Sequence, residues 1–236
     1  MKMFVHIPKN GGMTIRSNKQ IRQNVILGHP DNLKNAEYVR NVTAKMNNTQ
    51  DHPGYEHARW RDWRQDIRDG LQAVAIVRNP WDRVMSRYQF ARKIILHEGT
   101  QPPKYADISS FEAFIEERHK WEGQDYMWHR AVRGWYPAYD HVSDEEGNNR
   151  CDILRFENYN DDVKQYFGLI SNPEPRNITR VPNDKGATGY GTSYKDIYTK
   201  DTIQIIADWY KKDIDYWGFD FDTGATRNYW NVTKTI

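Results

Sequence analysis

Twice in this chain a short apolar run breaks at a turn and restarts as a helix. The first junction is Phe4-Val-His-Ile-Pro-Lys-Asn-Gly-Gly-Met-Thr14 and the second is Val74-Ala-Ile-Val-Arg-Asn-Pro-Trp-Asp-Arg-Val-Met-Ser86. A strand that feeds directly into a helix is the building unit of parallel sheets, because parallel neighbours need a crossover connection. The pair therefore predicts an α/β fold with a central parallel sheet flanked by helices in three layers.

Each junction also gathers groups that seek phosphate. In the first, Met3 to Ile7 has strand length, and Pro8 ends the ladder because it has no amide hydrogen. Gly11 and Gly12 let backbone amides approach an anion, and the helix expected from about Met13 points its positive end at the same spot. Lys9 adds a mobile cation and Thr14 a hydroxyl. The physics is P-loop-like, but an NTPase loop, G-x-x-x-x-G-K-[ST], carries its lysine after the glycines, and here it precedes them. The competing reading is a plain strand-to-helix turn.

In the second junction, Ala73 to Val77 reads as a strand buried on both faces. Asn79 suits an N-cap, Pro80 the first helical position, and Asp82 the third. Arg78 then becomes the last strand residue, at the carboxyl edge where open α/β sheets bind ligands. Ser86 falls on the second helical turn. The competing reading makes Arg78 and Arg83 surface charges.

These residues resemble a known family. Pro8-Lys9-Asn10-Gly11-Gly12-Met13-Thr14 is similar to the P-K-T-G-G-T-S phosphosulfate loop of carbohydrate sulfotransferases. Arg78-Asn79-Pro80-Trp81-Asp82-Arg83, with Ser86 three residues further on, is similar to their V-R-N-P-[WY]-[DE]-R-x-x-S segment, which binds a 3'-phosphate. Asp152-Ile-Leu-Arg-Phe-Glu-Asn158 and Asp213-Ile-Asp-Tyr-Trp-Gly-Phe-Asp-Phe221 resemble two further segments of the family, so the likeness spans the chain. It implies transfer of a sulfuryl group from 3'-phosphoadenosine 5'-phosphosulfate (PAPS) to a hydroxyl, most often of a carbohydrate, without a metal. Asn10 and Met13-Thr14 depart from the usual Thr and Thr-Ser, which leaves open which hydroxyl replaces the missing ones.

Composition is compatible with this. The chain has 236 residues, enough for one domain with a sizeable core, and no Pro/Gly/Ser-rich linker divides it, so residues 1–236 read as a single domain. A net charge of +2, from 34 basic and 32 acidic residues, is too balanced for a nucleic-acid-binding protein. One cysteine, Cys151, excludes an intrachain disulfide and any Cys-based zinc site, which suits a reducing compartment. No stretch reads as a signal peptide or membrane anchor, and a soluble, cytoplasmic protein is expected.

Further along, Val84, Tyr88, Ala91 and Ile95 recur at helical spacing after Asn79. A helix is expected around Ser110 to Arg118 and another over Asp125 to Val132. Asp144-Glu-Glu-Gly-Asn-Asn149 reads as a solvated turn rather than a metal site. Ile203, Ile206, Tyr210, Ile214 and Trp217 share a face of the last helical element, which Gly218 stops.

The resemblance assigns roles by position. Lys9 would neutralise the departing phosphate oxygen; Gly11, Gly12 and Thr14 would hold the 5'-phosphate; Arg78 and Ser86 would fix the 3'-phosphate. The acceptor hydroxyl needs a base, and histidine suits it near neutral pH. His57, in Tyr55-Glu56-His57-Ala58, resembles a His-Ala segment that precedes the R-N-P motif in bacterial members, and is favoured. His29, in Leu27-Gly28-His29-Pro30, and the acid Glu56 are the alternatives, whereas His6 reads as a core residue of the first strand. Trp60, Trp63, Trp121, Trp128 and Trp135 read as packing residues or as stacking faces for a sugar, and Arg59, Arg61 and Arg64 as a solvated face or a seat for an anionic glycan. The loop Asn183 to Gly191 is glycine-rich, and its Lys185 is a candidate to cover the nucleotide. A small-molecule kinase using ATP and Mg2+, and a noncatalytic nucleotide- or glycan-binding protein, are the rival readings.

Overall fold

The computed structural model describes residues 1–27, 55–63, 65–97, 106–121, 133–175 and 193–231. His29, Lys185, Trp128, Arg64 and the segments Asp125 to Val132 and Asn183 to Gly191 lie outside them.

Four strands, β1 (Lys2–Val5), β2 (Val25–Leu27), β3 (Gln72–Val77) and β4 (Cys151–Arg155), form one sheet in the order β2-β1-β3-β4. Every pairing is parallel, with Phe4 opposite both Leu27 and Val74 and with Ala75 opposite Ile153. The strand sequences are apolar almost without interruption because both faces are covered. Met3, Val5, Ala73, Ala75, Val77 and Ile153 face one cluster, while Phe4, Val74, Ile76 and Leu154 face the other. This is the expected mixed α/β architecture, a central parallel sheet between helical layers.

Helices α1 (Gly12–Ser17) and α2 (Lys19–Arg22) cover the second face through Ile15 and Ile21. The sequence reads as one helix from the first loop through about Arg22, but Asn18 adopts an extended backbone and its side chain accepts the Ile21 amide at 3.1 Å, so it caps a second helix instead of continuing the first. The stretch from Arg59 to Arg68, helix-like in its sequence, also divides, into a 3-10 turn Trp60–Asp62 and α3 (Gln65–Gly70). Helix α4 (Pro80–His97) starts as its sequence requires. Asn79 Oδ1 accepts the amides of Trp81 at 3.0 Å and Asp82 at 3.4 Å. Its Val84 and Tyr88 are buried, and Ala91 and Ile95 half-buried, along the stripe read from the sequence.

Helix α5 (Phe111–Glu116), with a 3-10 continuation Glu117–Trp121, opens on a Ser110 cap. After α6 (Ala138–Val142), the Asp144 carboxylate accepts the amides of Glu146 and Asn148 and the guanidinium of Arg150, so the acidic run is a turn that leads into β4. Among the described residues no group of His, Cys, Asp and Glu is arranged to hold a metal ion. Helix α7 (Tyr159–Phe167) follows β4, and the last element is two helices, α8 (Lys200–Trp209) and α9 (Lys211–Trp217), separated at Tyr210. Ile206, Tyr210 and Trp217 are fully buried, and Gly218 ends α9 in the left-handed region at φ 68°. No helix among the described residues is long and apolar enough to cross a membrane.

Asp213 joins the C-terminal helices to the rest. It is buried, and it accepts the amides of Ala138 at 2.7 Å and Tyr139 at 2.9 Å, so a residue of α9 caps α6. Burial pushes its carboxyl up to about 6, against the pull of the Arg83 charge and the two amides. Because the folded value lies above the unfolded 3.8, the folded chain holds the extra proton between the two, and this group's contribution to stability grows as pH falls through that window. The shift corresponds to about 3 kcal/mol at most. Unfolding by denaturant at about pH 7.5 and about pH 4.5 checks this: the stability difference between wild type and Asp213→Asn should move toward wild type at the lower pH by roughly 2 kcal/mol. A difference independent of pH contradicts it.

Candidate functional site

Strands β1 and β3 are neighbours, so the two junctions emerge side by side at the carboxyl edge of the sheet. Three side chains tie them together. Asn10, fully buried, donates its amide to the Ile76 carbonyl at 2.8 Å, Arg83 Nε donates to the Pro8 carbonyl at 3.2 Å, and Arg78 Nη1 donates to the Lys9 carbonyl at 2.9 Å. The loop from Pro8 to Thr14 is thereby held against the end of the neighbouring strand rather than by its own sequence alone.

Within this loop Lys9 and Gly11 both take positive φ, 69° and 81°. Glycine adopts that conformation freely, whereas a residue with a Cβ pays on the order of 1 kcal/mol or more. The glycines are also demanded by packing. A Cβ on Gly11 would lie 2.6 Å from the Tyr159 ring, and one on Gly12 would lie 2.1 Å from the His6 ring. Tyr159 closes over the loop, its hydroxyl donating to the Gly11 carbonyl at 2.9 Å. Burial pushes that hydroxyl well above its ordinary range, and a hydrogen bond with the Thr14 side chain opposes the shift. Thr14 is buried, Met13 is half-buried, and α1 starts with no side-chain cap on its first amides.

Lys9 Nζ sits 4.2 Å from the centre of the Phe90 ring. Phe90 is one turn beyond Ser86 on α4, so the lysine head reaches the helix face that presents the half-buried Ser86 hydroxyl. Arg78, just past the end of β3 rather than inside it, stacks at 4.0 Å over Phe156 and grips Asp82 with two hydrogen bonds, Nε to Oδ2 at 2.7 Å and Nη2 to Oδ1 at 2.8 Å. Neither arginine of this junction is a solvated surface charge: Arg83 is 1% exposed and donates to the Tyr136 carbonyl as well as to Pro8.

The two fainter segments converge on the same edge. Glu157 accepts the Asn79 amide at 2.6 Å, and burial raises its carboxyl above the ordinary value. The Asn79 side chain donates to the carbonyls of Asp220 and Thr223, each at 2.8 Å. One asparagine therefore caps α4 and anchors the C-terminal segment.

On the α1 side of the loop stands His57, at the end of a 3-10 turn Tyr55–His57. Its Nδ1 lies 2.8 Å from the His6 carbonyl oxygen, which can only accept, so Nδ1 carries the proton and the lone pair of the neutral ring is on Nε2. Nε2 is 3.4 Å from Glu56, whose carboxylate also meets Arg16 of α1 at 3.3 Å. The His6 and His57 rings lie 4.3 Å apart. His6 is thus a half-buried residue just past β1, facing the loop, and not the strand core residue its position suggests.

The Arg/Trp stretch after His57 is turned inward. Trp60 and Trp63 are buried, as is Trp135. Arg59 is paired with Asp62, and Arg61 donates to Ser143 and the Asp144 carbonyl. Sequence reasoning missed Tyr159, Asp82 as the partner of Arg78, Phe90 and the site-facing position of His6. Asp82 and Phe90 follow Arg78 and Ser86 at helical spacing, a signal that was present; nothing local marks Tyr159.

The model of the sulfotransferase family matches residues 3–220, a span that takes in both junctions and His57. No curated protein matches the chain.

Proposed function

The chain belongs to the sulfotransferase family, and from that premise we propose that it moves a sulfuryl group from PAPS to a hydroxyl of a carbohydrate, with His57 as the base. The observation that carries the reading is the Arg78–Lys9 contact at 2.9 Å, which joins the two phosphate-seeking junctions into one cradle. A nucleotide with phosphates at both ends needs such a pairing; a triphosphate does not. Arg78 uses three of its five N–H donors on Asp82 and Lys9, and two remain for an anion. Those two, with the Ser86 hydroxyl, would take the 3'-phosphate, and the loop Pro8 to Thr14 would take the 5'-phosphate.

Sulfuryl transfer runs in line between two oxygens, so positioning and charge stabilisation supply most of the catalysis, as in phosphoryl transfer. The acceptor oxygen bonds to sulfur while the bond from sulfur to the 5'-phosphate oxygen breaks, and 3',5'-ADP leaves with the electron pair. Lys9 meets the charge that develops there. The acceptor proton passes to His57 Nε2, the nitrogen left unprotonated by the bond to the His6 carbonyl. The carbohydrate acceptor rests on the motif likeness, since Trp60, Trp63 and Trp135 are buried in the core.

Thermal shift tests the cradle. Binding of 3',5'-ADP should raise the melting temperature by mass action, and ATP with Mg2+ should not. Arg78→Ala should weaken 3',5'-ADP by roughly ten- to a hundredfold, the cost of a charged hydrogen bond to phosphate. Arg78→Lys should not restore it, because an ammonium cannot hold Asp82, Lys9 and a phosphate in one plane. Wild-type-like affinity in Arg78→Ala would sink the assignment, and stabilisation by ATP-Mg alone would favour a kinase.

A further inference from the structure

Asp82 is the partner of Arg78 and the third residue of α4, where a carboxylate suits the helix N-terminus, but it has had no part in the chemistry so far. Its carboxylate does not reach back to the helix cap. Both oxygens go to Arg78, at 2.7 and 2.8 Å, and the third donor of the same guanidinium holds the Lys9 carbonyl at 2.9 Å. Lys9 is one of two non-glycine residues with positive φ among those described, and its ammonium is drawn over Phe90, a turn past Ser86. A chain of contacts thus runs from the first turn of α4, through Arg78, to the strained backbone of the lysine that meets the leaving oxygen.

We infer that Asp82 is a positioning residue for sulfuryl transfer: it orients Arg78 so that Arg78 holds Lys9 in its left-handed conformation, which aims the ammonium at the 5' end of the nucleotide. This deepens the function proposed above and rests on it. The physical argument is geometric. A guanidinium is a rigid planar fork, so fixing one edge on a carboxylate fixes the direction of the remaining donors. A left-handed non-glycine residue persists only where its surroundings over-determine it, and the bond to the Lys9 carbonyl is a restraint from outside the loop. Phe156, stacked at 4.0 Å on the guanidinium, limits the plane in which that fork can lie.

The consequence separates binding from turnover. A carboxylate beside Arg78 opposes an incoming phosphate electrostatically, so a residue that served only the nucleotide's affinity would be better absent. Asp82→Asn keeps the shape, removes the charge and offers one acceptor where two are needed. In this variant removal of the repelling charge and loss of Arg78's orientation act on 3',5'-ADP in opposite directions, so its affinity should change by no more than a few-fold, while kcat falls by roughly 10- to 100-fold, the scale of a misplaced catalytic group. In a Lys9→Ala background the same substitution should cost less than about two-fold in kcat, since the group it positions is gone. Asp82→Ala, which places a strong helix former inside α4, should behave alike if Asp82→Asn folds poorly.

A readout without turnover tests the latch by itself. Hydrogen exchange of a peptide covering Lys9 to Thr14 should be faster in Asp82→Asn than in wild type, with a peptide from β4 unchanged. Equal exchange in the loop, an unchanged kcat, or additive losses with Lys9→Ala would each overturn the inference. If wild type neither binds 3',5'-ADP nor consumes PAPS, the proposed function fails instead, and the exchange result stands on its own.

Discussion

Replacing Lys9 by alanine is expected to lower kcat by roughly 10²- to 10³-fold while KM for PAPS changes only a few-fold, the pattern of a charge that counts mainly in the transition state. In the ground state the bridging oxygen between phosphate and sulfur carries little charge, and it becomes anionic only as the bond breaks. The substitution is a clean probe of charge. Lys9 already bears a Cβ at φ 69°, so alanine adds no backbone strain that lysine lacks. It also leaves intact the Lys9 carbonyl that Arg78 holds. Steady-state kinetics with labelled PAPS provide the measurement, and an effect confined to KM would contradict the role.

His57→Ala should cost more. Loss of a general base lowers turnover by roughly 10²- to 10⁴-fold, and the acid limb that His57 imposes on the pH-rate profile should disappear with it. Binding of 3',5'-ADP should persist, because the histidine stands on the α1 side of the loop and Arg78 on the other strand's junction. Its bond to the His6 carbonyl is a backbone contact, so His6→Ala should leave the His57 tautomer in place. His29→Ala serves as the comparison: turnover abolished there and kept in His57→Ala would move the base to His29 and leave the cradle untouched. Should neither histidine matter, Glu56, 3.4 Å from His57, takes the role.

What was legible in the sequence was local or periodic. The parallel sheet followed from two strand-to-helix junctions with apolar runs on both faces, and the α4 start followed from Asn79, Pro80 and Asp82, whose preferences operate within one turn. The same logic failed where a single polar residue could choose between neighbours. Asn18 competes for the Ile21 amide and ends α1, a contest that helical periodicity does not register. Position along a strand also misled for His6, since whether a residue one step past a strand is core or site depends on what the next elements lay over it.

The positions of the two strand-to-helix junctions, the glycines of the first and the Asn79 cap of the second were determined by the sequence itself, because a turn and the first turn of a helix are set by residues a few positions apart. Their partnership was not. Arg78 reaches Lys9, Asp213 caps α6, and the His6 carbonyl sets the proton on His57, each across dozens of residues. A hydrogen bond has no range along the chain, only in space, so which donor meets which acceptor was decided when β1 and β3 became neighbours and the helices closed over them.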